Sequence, residues 1–155
     1  PQESAMMCPD VWTTKLSIEA SQLCATVYTR LELSSAPRTI KGTPRSNKSH
    51  PNHPLTKWVQ HSFLAWEWVR DFGVATINEA MWRGLYKTTP HHANFFEWMF
   101  ENPPNSHQFG KFEYFYTPIG YENFPVQKAH QQYFLDKKQH IANWTKRDIP
   151  KWFIK

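Results

Sequence analysis

The side chains best suited to chemistry by type and spacing lie in NKSHPNHPLTKWVQH, where Lys48, His50, His53, Lys57 and His61 fall within about one loop and the following helical turn. A metal would need three or four convergent ligands. No HExxH, cysteine pair or suitably spaced carboxylate accompanies these histidines, so no metal site is expected. Phosphate contact by His50 and His53 with Lys48 and Lys57 is favoured over metal binding, and the alternative is that the His-Pro steps simply punctuate a turn and cap a helix. His91 and His92 follow Pro90, where a helix start exposes N–H groups that suit a phosphate or, more plainly, carry ordinary first-turn residues. At the other end, Lys137, Lys138, Lys146, Arg147 and Lys151 alternate with Trp144, Trp152 and Phe153. Such a mixture binds a nucleic-acid strand by charge and stacking. Equally, the tryptophans anchor a tail to the core and leave the charges in solvent.

Helices must position these groups. Thr13 to Leu31 sets Leu16, Leu23, Val27 and Leu31 at helical spacing. From Ser34 to Pro54 the chain is basic, rich in proline and nearly devoid of apolar residues, which predicts a long loop. Pro54 suits a first helical turn, and Leu55, Trp58, Val59, Ser62, Trp66 and Val69 carry the pattern to Gly73, a natural stop. A third helix is predicted over Ala75 to Tyr86 and a fourth over His91 to Phe100. Residues 102–125 read as irregular, and a last helix spans Val126 to Trp144 before a basic aromatic tail over 145–155. The expected fold is mainly α, a single compact domain of about five helices with two long irregular loops.

Composition narrows the function classes. With 155 residues the chain can enclose one core. Eight tryptophans and eleven phenylalanines must supply much of it. Cys8 and Cys24 are too few for a disulfide scaffold and are not paired as zinc ligands. No stretch is long and apolar enough for membrane insertion, and the N-terminus lacks a signal-peptide layout, which leads to an expectation of a cytoplasmic protein without membrane partners. The net charge of +5 favours anionic partners, DNA among them. No phosphate-binding P-loop, dinucleotide-binding glycine motif, GxSxG or catalytic cysteine signature occurs, so no cofactor is expected.

Three blocks carry a family resemblance: ESAMMCPDVWTTKLSIEASQL, NKSHPNHPLTKWVQHSFLAWEWV and KAHQQYFLDKKQHIANWTKRDIPKWF. In this order they resemble a family of small tailed-phage proteins linked with thymine hypermodification, the α-glutamyl/putrescinyl thymine pyrophosphorylases. That family is distantly similar to the phage pyrimidine-dimer DNA glycosylases. The chain departs from the family pattern at Val11 or Trp12, where a His is expected, at Ala65 in place of Asn, and at Gln131 in place of Arg.

The resemblance implies a phage protein acting on a modified or damaged thymine, as a glycosylase or a base-modifying transferase in the host cytoplasm. It places the catalytic carboxylate at Glu19, which would stabilise a developing cation or accept a proton. Lys15, one turn earlier, and Arg83 would act as electrostatic partners for phosphate. Access to the base would require flipping, with Trp58, Trp66 or Trp82 available to stack on it. Lys15, Lys48, His50, His53, Lys57, Arg83, His91, Lys137, Lys138 and Arg147 are the expected nucleic-acid contacts. The alternative is a non-catalytic descendant that binds DNA or a protein partner.

Overall fold

The computed structural model describes residues 1–31, 52–110 and 116–153. The chain is mainly helical, and among the described residues no strand occurs. The helices are α1 (Gln2–Met7), α2 (Asp10–Arg30), α3 (Pro54–His61), α4 (Phe63–Arg83), α5 (Ala93–Glu101) and α6 (Val126–Lys137). Short 3-10 turns lie at Ser106–Gln108 and Gln139–Ile141.

Two 21-residue helices, α2 and α4, form the centre. They run antiparallel: Asp10 meets Arg83, Ala20 lies against Gly73, and the Cys24 thiol reaches the Trp66 carbonyl at 3.8 Å. Tyr28, Trp66, Phe95, Phe96 and Met99 fill the space between α2, α4 and α5 almost without exposure. Burying a side chain of this size contributes on the order of 1.5–3 kcal/mol. Tyr28 makes edge contacts with Trp66, Phe95 and Trp98, the arrangement that aromatic quadrupoles favour.

The two boundaries of α4 differ from the sequence expectation, each for a local reason. The predicted helix from Pro54 to Gly73 is broken at Ser62, which adopts extended dihedrals and accepts the Ala65 N–H on its hydroxyl at 3.2 Å. An N-cap of this kind satisfies one of the donors a new helix leaves open and so begins α4 afresh. Gly73 is not a stop. It lies within α4 because a Cβ there would collide with the Phe96 ring and press on Ala20. The stop is Gly84, whose φ of 79° closes the helix, with Leu85 N–H bonding to the Ala80 carbonyl. Consequently the predicted helix over 75–86 is the second half of α4.

The last predicted helix ends early, at Lys137. The chain then turns and lays its tail on the core. Trp144 is buried and donates its indole N–H to the Met7 carbonyl at 3.0 Å. Phe134 on α6 gathers Trp12, Trp144, Trp152 and Phe153 around itself with ring centroids 5.3 to 6.2 Å away. Of the two roles open to the tail's aromatic residues, Trp144 and Trp152 take the anchoring one.

Candidate functional site

Four charged side chains converge where the start of α2, the end of α4 and the tail meet. Glu79 and Arg83 are one turn apart on α4, and Glu79 Oε1 accepts Arg83 Nε at 2.8 Å. The same carboxylate accepts Arg147 Nε at 2.7 Å on Oε1 and a second Arg147 N–H at 2.8 Å on Oε2. Arg83 donates further to Asp10 Oδ1 at 3.0 Å and to the carbonyls of Cys8 and Met6 at 2.8 and 2.9 Å. Asp10 is then closed by the Thr145 N–H and hydroxyl and by the Asn143 amide. One guanidinium therefore ties α1, the α1–α2 turn, α2 and α4 together, and one carboxylate adds the tail.

The electrostatics follow from the geometry. Hydrogen bonds from Arg147 hold the Glu79 carboxyl below the usual carboxylate range, against the cost of burial and with help from Arg83. Burial opposes ionisation of Asp10, but bonds from Thr145 and Arg83 outweigh it and lower its pKa as well. The Glu79 pair raises the Arg147 pKa in turn. Nearby, burial pushes the Cys8 thiol up to about 12 although Arg83 pulls the other way. Carboxylates with both oxygens engaged by protein donors, as in Asp10 and Glu79, and a guanidinium with no exposure, as in Arg83, hold the fold together.

This corrects the expectation for Arg83, whose side chain is 0% exposed and faces protein carboxylates and carbonyls where a phosphate contact was expected. Arg147 is 27% exposed and lies over the Trp82 ring, 4.2 Å from its centroid. Lys146 donates to the Trp82 carbonyl at 2.7 Å. Both tail cations thus serve the C-terminal end of α4, where the helix dipole favours positive charge. Trp58 and Trp66 are buried and unsuited to stacking on a base, whereas Trp82 is half exposed.

Glu19 stands elsewhere, on the outer side of α2. Its carboxylate is 3.3 Å from the Lys15 ammonium, with side-chain exposures of 44% and 64%. Val11, Lys15, Ile18 and Gln22 are exposed along the same side, while Thr13, Ser17, Ala20 and Cys24 are buried on the opposite one. Both groups are therefore accessible and carried on a backbone that packing holds fixed.

The remaining expected contacts are dispersed. His53 caps α3, its Nδ1 accepting the Leu55 N–H at 3.2 Å, and its ring lies 5.9 Å from that of Tyr116. Lys57 is exposed on the next turn, His91 is exposed ahead of α5, and Lys137 and Lys138 close α6. Lys48 and His50 fall outside the described residues. Among the described residues no group of three or more His, Cys, Asp or Glu is placed to hold a metal ion, and no helix is long and apolar enough to cross a membrane.

Sequence reasoning missed a Ser–His contact: His92 Nε2 lies 2.9 Å from the Ser17 hydroxyl, with the Tyr86 hydroxyl 3.2 Å from the same atom. Ser17 has no exposure and bonds the Thr14 carbonyl at 2.7 Å, so the pair is closed to substrate and joins α2 to α5. It also missed Asp10 and Glu79 as the partners of Arg83. The i,i+4 spacing of Glu79 and Arg83 was the available signal.

No protein-family description, curated protein or solved structure matches this chain.

Proposed function

We propose that this protein binds DNA and processes a modified or damaged thymine, with Glu19 as the cation-stabilising or proton-accepting group and Lys15 as its electrostatic partner. The observation that carries the reading is the Lys15–Glu19 pair, a carboxylate and an ammonium 3.3 Å apart and open to solvent on a helix whose other side is locked into the core. A carboxylate placed in this way can face a developing positive charge on a deoxyribose or a base without reorganising its own backbone.

Charge distribution supports the DNA partner. The buried cluster takes up Asp10 and Glu79 against Arg83 and Arg147, two of each sign, so the whole net charge of +5 lies on the rest of the chain. Exposed Lys57, Lys137 and His91 are free of that cluster and available to phosphate.

One observation favours a second reading, a DNA-binding protein without catalysis. Arg83, expected as an electrostatic partner for phosphate, is withdrawn into the core.

Duplex oligonucleotides carrying thymine dimers, hydroxymethyluracil, its pyrophosphorylated form or an abasic site decide between the two. Their nucleosides are analysed by mass after incubation, with borohydride present in a parallel sample. A changed base mass or a released base is the expected result, and an adduct trapped by borohydride would add an amine nucleophile to the reaction. Unchanged substrates together with salt-sensitive binding would leave the second reading standing in its place.

A further inference from the structure

A groove of about 370 Å³ runs along the contact of α4 and α5, and no residue of α2 lines it. Its apolar lining comes from Val74, Ile77 and Met81 on α4 and from Ala93, Phe96 and Phe100 on α5. Phe100 is 53% and Met81 37% exposed, so apolar surface continues from the lining into solvent. Glu97, Asn78 and Thr89 supply its polar groups, and all three are exposed.

The charges around this groove oppose those of the chain as a whole. Arg70 lies over the Phe100 ring, 4.2 Å from its centroid, and is bound by Asp71 at 2.8 Å and Glu67 at 3.9 Å. Glu97 and Glu101 stand one turn apart on α5, both exposed. Glu67, Asp71, Glu97 and Glu101 thus put four carboxylates on the turns of α4 and α5 that carry Arg70 and Phe100. A net negative rim around an apolar trough repels nucleic acid and attracts a cationic amphipathic body.

From this juxtaposition we infer that the α4–α5 groove is a docking site for a basic amphipathic peptide segment of a protein partner, apolar side chains in the trough and Lys or Arg over Glu97, Glu101, Asp71 and Glu67. The trough follows about two helical turns on each wall, Val74 to Met81 and Ala93 to Phe100, which matches the i, i+3, i+4 and i+7 anchors of a docked helix. The inference does not depend on catalysis at Glu19.

The test uses a fluorescently labelled leucine–lysine amphipathic helical peptide, its leucine–glutamate counterpart and a lysine peptide with the leucines replaced by serine. Fluorescence anisotropy and amide chemical shifts are read on the full chain. The leucine–lysine peptide is expected to bind, to shift amides of Asn78, Ala93 and Glu97, and to weaken with salt, and the other two to bind at least about tenfold more weakly. Glu97→Lys with Glu101→Lys, both on the surface, is expected to cost about tenfold, as is Phe100→Ser, with melting temperature followed to show that each variant is folded.

Absence of leucine–lysine binding would overturn the inference. So would equal binding of the leucine–glutamate peptide, or affinity unchanged by the Glu97 and Glu101 reversals. A self-associated chain in sedimentation, dissociated by Phe100→Ser, would replace the partner with a second copy.

Discussion

Glu79 and Arg147, 68 residues apart, meet through two parallel N–H to carboxylate bonds of 2.7 and 2.8 Å, and this contact fixes the tail against α4. Because the same carboxylate also binds Arg83, its charge is shared by two guanidiniums, one of them fully buried.

Removing that charge leaves Arg147 without its carboxylate and Arg83 with Asp10 alone. Glu79→Gln keeps the shape but not the charge and is expected to lower stability by about 3–5 kcal/mol, since breaking a buried pair exposes its uncompensated half. Urea unfolding checks this. Glu19→Gln, which breaks only the exposed pair with Lys15, is expected to change stability by about 0.5 kcal/mol or less. Equal effects of the two substitutions would contradict the separation of the buried network from the Glu19 face.

Acid should act on the same network. Asp10 and Glu79 both have lowered pKa values, so they bind protons less readily folded than unfolded. Their stabilisation is complete above the ordinary carboxylate values of about 4 and is lost as pH falls through the lowered values. The urea midpoint should therefore decline on acidification below about pH 4, and in Glu79→Gln the decline should be shallower.

Gly73 sets helix propensity against packing. Alanine is the better helix former by about 1 kcal/mol, but a Cβ at this position drives into the Phe96 ring, and overpacking costs about 1–3 kcal/mol. Gly73→Ala is expected to be destabilising on balance, and Phe96→Leu in the same chain should recover part of the loss. A Gly73→Ala protein more stable than the parent in thermal unfolding would show that α5 yields there.

Neither thiol should be reactive in the folded chain. Burial raises the pKa of both Cys8 and Cys24, the former to about 12. The thiolate is the reactive form, so alkylation by iodoacetamide at neutral pH is expected to be slow until denaturant is added. Rapid labelling of Cys8 without denaturant would indicate that the α1–α2 turn opens.

Much of this fold was legible from periodicity and composition. The helical spacing of Leu16, Leu23 and Val27 placed α2, Pro54 marked the start of α3, and the predicted helix over His91 to Phe100 corresponds to α5. What failed was the use of Gly73 as a stop, because a glycine that ends a helix and one that admits a neighbouring ring look alike in one dimension. Ser62 reads as an N-cap only once its extended backbone is seen. The buried network was hidden for a related reason: Arg83 looks like any basic residue near a helix end, and only the fold brings Asp10 and Arg147 to it. The aromatic tail was readable as either stacking platform or anchor, and Met7, far away in sequence, together with Phe134 on α6 decides for the anchor.

The central claim is the role of Glu19, and the most direct measurement compares turnover and DNA affinity of Glu19→Gln with the parent on the thymine-modified duplexes. Because Glu19 is exposed and paired only with Lys15 among the described contacts, its substitution should leave folding and salt-dependent DNA binding nearly unchanged. The account predicts that turnover falls at least about a hundredfold, the range for loss of a general acid–base group. Full turnover in Glu19→Gln would contradict it.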